Sequence, residues 1–159
     1  MTRAPGADAQ GLRFDEAVVG EAFTSSLTVT ETHLVLGAGL IGDFNPHHVD
    51  ETYARGSRYG GRILHGMLTS AIMGASVGMR FQGTAIGYLE HHVRFLAPVY
   101  PGDTLATTWT IIETHAKPKH SGGVVALHAE CRNQDGAVVA TGEAKILVGN
   151  EPTGRGSAG

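Results

Sequence analysis

A chain of 159 residues, 42% hydrophobic and 17% charged, suits one globular domain with its own core and argues against a disordered polypeptide. A formal net charge of −3 without any basic block argues against nucleic acid as a main partner. The single cysteine, Cys131, can form no internal disulfide and sits in no zinc spacing, so a buried thiol in a strand is expected.

The first residues, MTRAPGADAQGLRF, carry no apolar signal core. Residues 1–12 and 150–159 are rich in Gly, Ala, Pro and Ser and read as flexible ends around one domain, 13–149. Ser25–Thr30 reads as a strand, and Thr30 or Thr32 can cap a helix running to about Ile41. A residue before proline avoids the helical region, so Asn45-Pro46 ends any helix by about Phe44. After a Gly- and Arg-rich loop, ARGSRYGGR, a second helix is expected from about Ile63 to Phe81, with Gly83 as its stop. This most apolar run contains His65, Thr69 and two serines and falls short of the roughly 20 apolar residues of a membrane span. No membrane partner is expected, and the setting reads as cytoplasmic.

Beyond Gly83 the texture changes. IGYLEHHVRFLAPV, DTLATTWTIIETH, GGVVALHAECRN and AVVATGEAKILV are β-branched, partly alternating runs divided by turn signals. Successive strands with no helix between them argue for an antiparallel sheet, hence an α+β fold. In the long helix Gly66, Ser70, Gly74 and Gly78 recur every four residues. Each helical glycine costs about 0.8–1 kcal/mol against alanine. A curved sheet pressed closely against the helix would account for such a stripe.

The stretch GAGLIGDFNPHHVD, Gly37 to Asp50, has two readings. Its first half matches the glycine fingerprint of a dinucleotide turn. That turn must follow a strand and open a helix, with an acidic residue about 20 positions on. Here Pro46 arrives too soon and the acidic residue is missing, so no nucleotide cofactor is expected. In the second half, the bend at Pro46 can bring Asp43 and His48 to one point, where a carboxylate and an imidazole could serve as acid and base around a water. Equally, Asp and Asn are ordinary turn formers. Gly66 falls in the first turn of the long helix, where unpaired N–H groups can receive a developing oxyanion. His65 beside it is expected to order the turn.

The segments GDFNPHHVDETYA and GGRILHGML closely resemble the hydratase motif of the MaoC-like, (R)-specific enoyl-CoA hydratase family. The resemblance continues through IGYLEHHVRFLAPVYPGDTL to TGEAKILV and covers roughly residues 15 to 148. It implies a single hotdog fold, a long central helix wrapped by a curved antiparallel sheet. It also implies a homodimer or dimer of dimers with acyl-thioester sites near the interface. The implied reaction adds water across a trans-2-enoyl thioester, or removes it, with CoA or an acyl carrier protein as carrier and no further cofactor. Asp43 matches the family's catalytic aspartate and His48 its histidine, with Asp43 preferred as base and His48 as acid. Asn45 would fix the loop and orient His48, and Gly66 N–H would receive the thioester oxygen.

His47 departs from the family, which often carries an aliphatic residue there, and Gly74 stands where some members have serine near the acyl pocket. His47 and His65 are weaker candidates for substrate contact. Arg58, Arg62, Lys117 and Lys119 could meet CoA phosphates. His91 and His92 are strand neighbours facing opposite sides, and no spacing among the nine histidines suggests a metal site. Trp109 and Tyr88 are expected in the core or an interface. Two alternatives stay open: a hotdog thioesterase, disfavoured because residues 63–81 hold no Asp or Glu, and a non-catalytic acyl-thioester-binding subunit.

Overall fold

Strict alternation builds the sheet. Leu105, Thr107, Trp109 and Ile111 are buried while the residues between them are half-exposed, the period of a strand with one face on a core. Val125, Leu127, Ala129 and Cys131 continue that inner face on the next strand, and Ala140, Ala144, Ile146 and Val148 on the one after. The computed structural model describes residues 11–153. Its strands are β1 (Ala22–Thr28), β2 (Ala85–Phe95), β3 (Thr104–Lys117), β4 (Gly122–Arg132) and β5 (Val138–Gly149). They form one antiparallel sheet in the order β1-β3-β4-β5-β2. Register shifts in β2, within β3 and at the end of β4 bend the strands, as bulges do.

The helices all fall between β1 and β2 in the chain: α1 (Glu31–Ile41), α2 (Pro46–Val49), α3 (Glu51–Arg55) and α4 (Gly66–Arg80). The inner face of the sheet packs on α4 through Thr69, Met73, Ser76 and Val77. Trp109, fully buried, pins the two layers: its indole N–H lies 3.0 Å from the Met73 carbonyl and 3.1 Å from Ser76 Oγ. Part of the glycine stripe has the expected cause. A Cβ on Gly66 would stand 3.1 Å from the Phe95 ring and one on Gly74 would stand 3.4 Å from His91, whereas Gly78 faces open space. β2 therefore crosses the first half of the helix closely, and Met67, Ala71, Ala75 and Met79 stay exposed.

Four expectations need correction. The long helix begins at Gly66 rather than Ile63, because His65 (φ −56, ψ 132) is its non-helical N-cap and the Ile63 carbonyl accepts from His48 Nδ1–H instead of a helix N–H; Ile63 N–H meets the His47 carbonyl (3.1 Å) and Leu64 N–H that of Val99 (2.7 Å). Those bonds keep residues 63–65 extended. Helices α2 and α3 were not anticipated; Asn45 caps the first through His47 N–H and Asp50 the second through Tyr53 N–H. β1 spans Ala22–Thr28 instead of residues 25–30, since Thr30 caps α1 and its N–H meets His33 Nδ1 at 3.0 Å. Gly11, Leu12, Asn150 and Thr153, expected in loose ends, are tied down by backbone hydrogen bonds. The remaining parts of those ends lie outside the described residues. Among the described residues no helix is long and apolar enough to cross a membrane.

Replacing Trp109 with phenylalanine removes both indole hydrogen bonds and leaves a cavity. Stability should fall by about 1–3 kcal/mol, read as a lower urea midpoint with unchanged slope.

Candidate active site

The glycine-rich stretch is part of a helix and its end. Gly37 and Gly39 lie within α1, and Gly42 is its C-cap with φ +74. A Cβ on Gly37 would stand 2.1 Å from Leu68, so that glycine lets α1 and α4 approach. The left-handed turn at Gly42 redirects the chain and presents Asp43. Its Oδ1 accepts from Asn45 N–H at 3.1 Å, which leaves Oδ2 to face His48.

Pro46, at the first position of α2, and the Asn45 cap set His48 opposite. His48 Nδ1 lies 2.7 Å from the Ile63 carbonyl oxygen. A carbonyl only accepts, so Nδ1 carries the proton and Nε2 is the nitrogen left to work. That nitrogen is 3.7 Å from Asp43 Oδ2; the His48 side chain is 12% exposed and that of Asp43 48%. Next to the pair, α4 begins. Among the described residues Gly66 N–H has no acceptor, as befits the first residue of a helix. A cleft of about 290 Å³ joins His48, Gly66 and Thr69 to Arg58, Tyr59 and Phe95. A larger groove of about 660 Å³, between β1 and α4 and lined by Phe23, Leu27, Ile72 and Met79, shares none of these groups.

The cleft thus brings together His48, Gly66 and Arg58, and Asp43 adjoins it through His48. Arg58 lies over the Tyr59 ring at 5.4 Å, with no carboxylate partner among the described residues. Asn45 holds the loop through α2, its carbonyl accepting from His48 N–H at 2.8 Å, and among the described residues no hydrogen bond joins its side chain to the His48 ring. His47 is placed elsewhere: its ring packs edge-on against Tyr53 and Tyr59, each 5.1 Å away, because successive residues of a helix face different ways. Lys117 and Lys119 do not line the cleft. His91 turns inward to Ser70, 2.9 Å from its Oγ, and meets the Tyr88 hydroxyl at 2.9 Å, while His92 is exposed. Tyr88 is 41% exposed overall, and the partial desolvation of its phenol, turned toward His91, pushes it up to about 12.

Arg62 is unavailable to a phosphate. Its guanidinium bridges Glu51 at 2.8 Å and Glu31 at 2.9 Å, clasping α3 to the start of α1. Hydrogen bonds from Arg62 and then Arg55 hold the Glu51 carboxyl below its ordinary value, and Glu51 in turn raises Arg62. Charged residues this far apart in sequence gave no signal of the clasp. His65 is buried at 1% exposure and does not line the cleft. Its Nε2 lies 2.9 Å from the Asp43 carbonyl oxygen and its ring stacks on His48, centroids 3.8 Å apart. Asp43, His48 and His65 hold ligand-type atoms within 4.8 Å of one another. Stacked rings, however, direct their in-plane lone pairs side by side, and His65 Nε2 is already committed, so the trio does not converge as a coordination shell would. The Phe95 ring, which covers Gly66, was legible only as part of a strand ending.

The model of the MaoC like domain family matches residues 14–130. The chain belongs to that family. The (R)-specific enoyl-CoA hydratase of Rhodospirillum rubrum is 34% identical over 135 residues, 85% of this MaoC-like chain and 90% of that protein. The unliganded R-hydratase PhaJ1 from Pseudomonas aeruginosa superposes with a TM-score of 0.79 at 33% identity, covering 89% of this chain and 88% of that one. A Mycobacterium tuberculosis protein described as a double hotdog fold gives a TM-score of 0.78 at 16% identity, covering 92% of this chain and 47% of that one. This last likeness concerns the fold alone, and with PhaJ1 it bears out the single hotdog unit expected from the sequence.

The Arg62 clasp has a pH signature. A carboxyl held below its ordinary value of 4.5 contributes stability in full above that value and loses it as pH falls through the lower, folded one. Arg62→Met should lower the thermal midpoint at neutral pH, and its deficit should shrink in acid. A deficit independent of pH would count against the clasp.

Proposed function

We propose that this MaoC-like domain adds water to trans-2-enoyl-CoA thioesters to give (R)-3-hydroxyacyl-CoA, and removes it in the reverse direction. The observation that carries the reading is the 3.7 Å separation of Asp43 Oδ2 from His48 Nε2 beside the free N–H of Gly66. Two groups at that spacing can hold one water between them. As the water oxygen bonds to the β-carbon, Asp43 takes its proton, and His48, which enters the cycle with a proton on Nε2 as well as the one on Nδ1, delivers the Nε2 proton to the α-carbon. The thioester oxygen gains enolate charge meanwhile, and Gly66 N–H at the positive end of α4 meets it. The pair keeps its proton count, and the site is restored when the proton gained by Asp43 passes back to His48 Nε2. Arg58 at the mouth of the cleft suits a CoA phosphate. The scheme uses no cofactor beyond the CoA of the substrate. The names of the Rhodospirillum and Pseudomonas relatives support it.

The same proposal includes a homodimer. β2 is an edge strand that exposes Ile86, Tyr88 and Leu89. Pairing β2 with its copy would cover that face and remove an aggregation-prone edge. Light scattering should report two chains per particle, and Leu89→Asp should shift the mass toward one.

The decisive assay follows loss of the conjugated thioester absorbance of crotonyl-CoA. Asp43→Asn and His48→Ala should each lower kcat by at least about 10²-fold with the fold intact. Near-normal turnover removes that residue from the scheme, and release of free thiol would indicate a thioesterase instead. Gly66→Pro tests the backbone donor. Proline suits a first helical position, and His65 (φ −56, ψ 132) suits the residue before it. The substitution should cost about 10²–10³-fold in kcat, while Gly66→Ala, which crowds Phe95 but keeps the N–H, should cost far less.

A further inference from the structure

His65 is a buried titratable side chain that the proposed chemistry does not use. The Asp43 carbonyl only accepts, so His65 Nε2 carries the proton and Nδ1 the lone pair. Nδ1 is buried and has no partner among the described residues. An orphaned buried nitrogen is unfavourable, and its retention calls for a reason.

The two contacts of the ring supply one. The bond from His48 Nδ1–H to the Ile63 carbonyl fixes where the His48 ring points but leaves it free to swing about that line. A ring stacked on its face at 3.8 Å, with planes 26° apart, removes the swing. The in-plane N–H of the same His65 ring holds the backbone of Asp43, which follows the C-cap of α1 and has lost the support of that helix. Few side chains offer both a flat apolar face and an in-plane donor. We propose that His65 is the positioning residue of the site: it sets the separation of Asp43 from His48 without touching substrate. The proposal rests on the hydratase reading above.

Two substitutions separate its contacts. His65→Phe keeps the stacked ring and loses the N–H; His65→Gln keeps an N–H donor and loses the ring face. Each should fold and lower kcat on crotonyl-CoA by about 10- to 10²-fold, the scale of a small misplacement of reacting groups, with KM nearly unchanged. Wild-type kcat in either folded variant makes the missing contact dispensable and overturns the proposal. So does a loss confined to KM, which would assign His65 to substrate binding. If neither variant folds, nitrogen NMR of the wild-type imidazoles decides. A fixed Nε2–H tautomer at His65 is expected, and an Nδ1–H tautomer or exchange between the two overturns the proposal. Asp43→Asn runs alongside. If it turns over normally, Asp43 leaves the scheme and the Asp43–His48 mechanism on which this inference rests fails; if it is inactive while both His65 variants are active, only the present inference fails.

Discussion

The carbonyl of Ile63 takes the Nδ1–H of His48, and the site is built outward from that bond. Residues 63–65 run extended between two walls. Ile63 N–H reaches the His47 carbonyl on one side, and Leu64 N–H reaches that of Val99 on the other. His65 then grips Asp43, and the next N–H, that of Gly66, opens α4. Asp43, His48 and the Gly66 N–H are thereby referenced to one short length of chain. Had α4 begun at Ile63, the backbone groups of this segment would have been drawn into the helix.

Such a segment can be stiff only if its supports are. The sheet supplies one: Trp109 anchors the middle of α4, and Val99 follows directly on the last residues beyond β2. The other is the Arg62 clasp, which ties α1 and α3, the helices flanking the Asp43–His48 turn, into one unit. A few ordinary interactions, each modest alone, hold a carboxylate oxygen and an imidazole nitrogen 3.7 Å apart.

Much of this was legible before any coordinates. Alternating runs with Gly, Asp and Asn turns between them are specific for antiparallel strands, and all of β2 to β5 were found near their observed bounds. Asp43, His48 and Gly66 could be named because proline and glycine restrict the backbone locally, and local restriction is written in the sequence. The rest depends on partners distant in the chain. Nothing near Arg62 announces Glu31, and nothing in His65 announces that its ring will lie on His48. The start of α4 differs for the same reason: Ile63 and Leu64 suit a helix, but the Ile63 carbonyl that a helix would use is claimed by His48, 15 residues earlier. His47 and Arg62 were offered to the substrate because basic side chains invite that reading, whereas packing and ion pairing had already claimed them.

The strand order has a consequence for how the molecule comes together and apart. β3, β4 and β5 form a meander closed by short turns. Each edge strand must be fetched across the chain; Thr24 of β1 meets Thr108, 84 residues on. Long closures lose entropy before contacts repay it, so local hairpins lead and distant edges follow. Among the described residues all four α-helices, and with them Asp43, His48 and Gly66, lie between the two edge strands in sequence. Order at the site therefore arrives after the meander and frays ahead of it. A sample can keep the spectroscopic signature of its sheet after its chemistry has gone, and turnover is the stricter measure of whether the fold is complete.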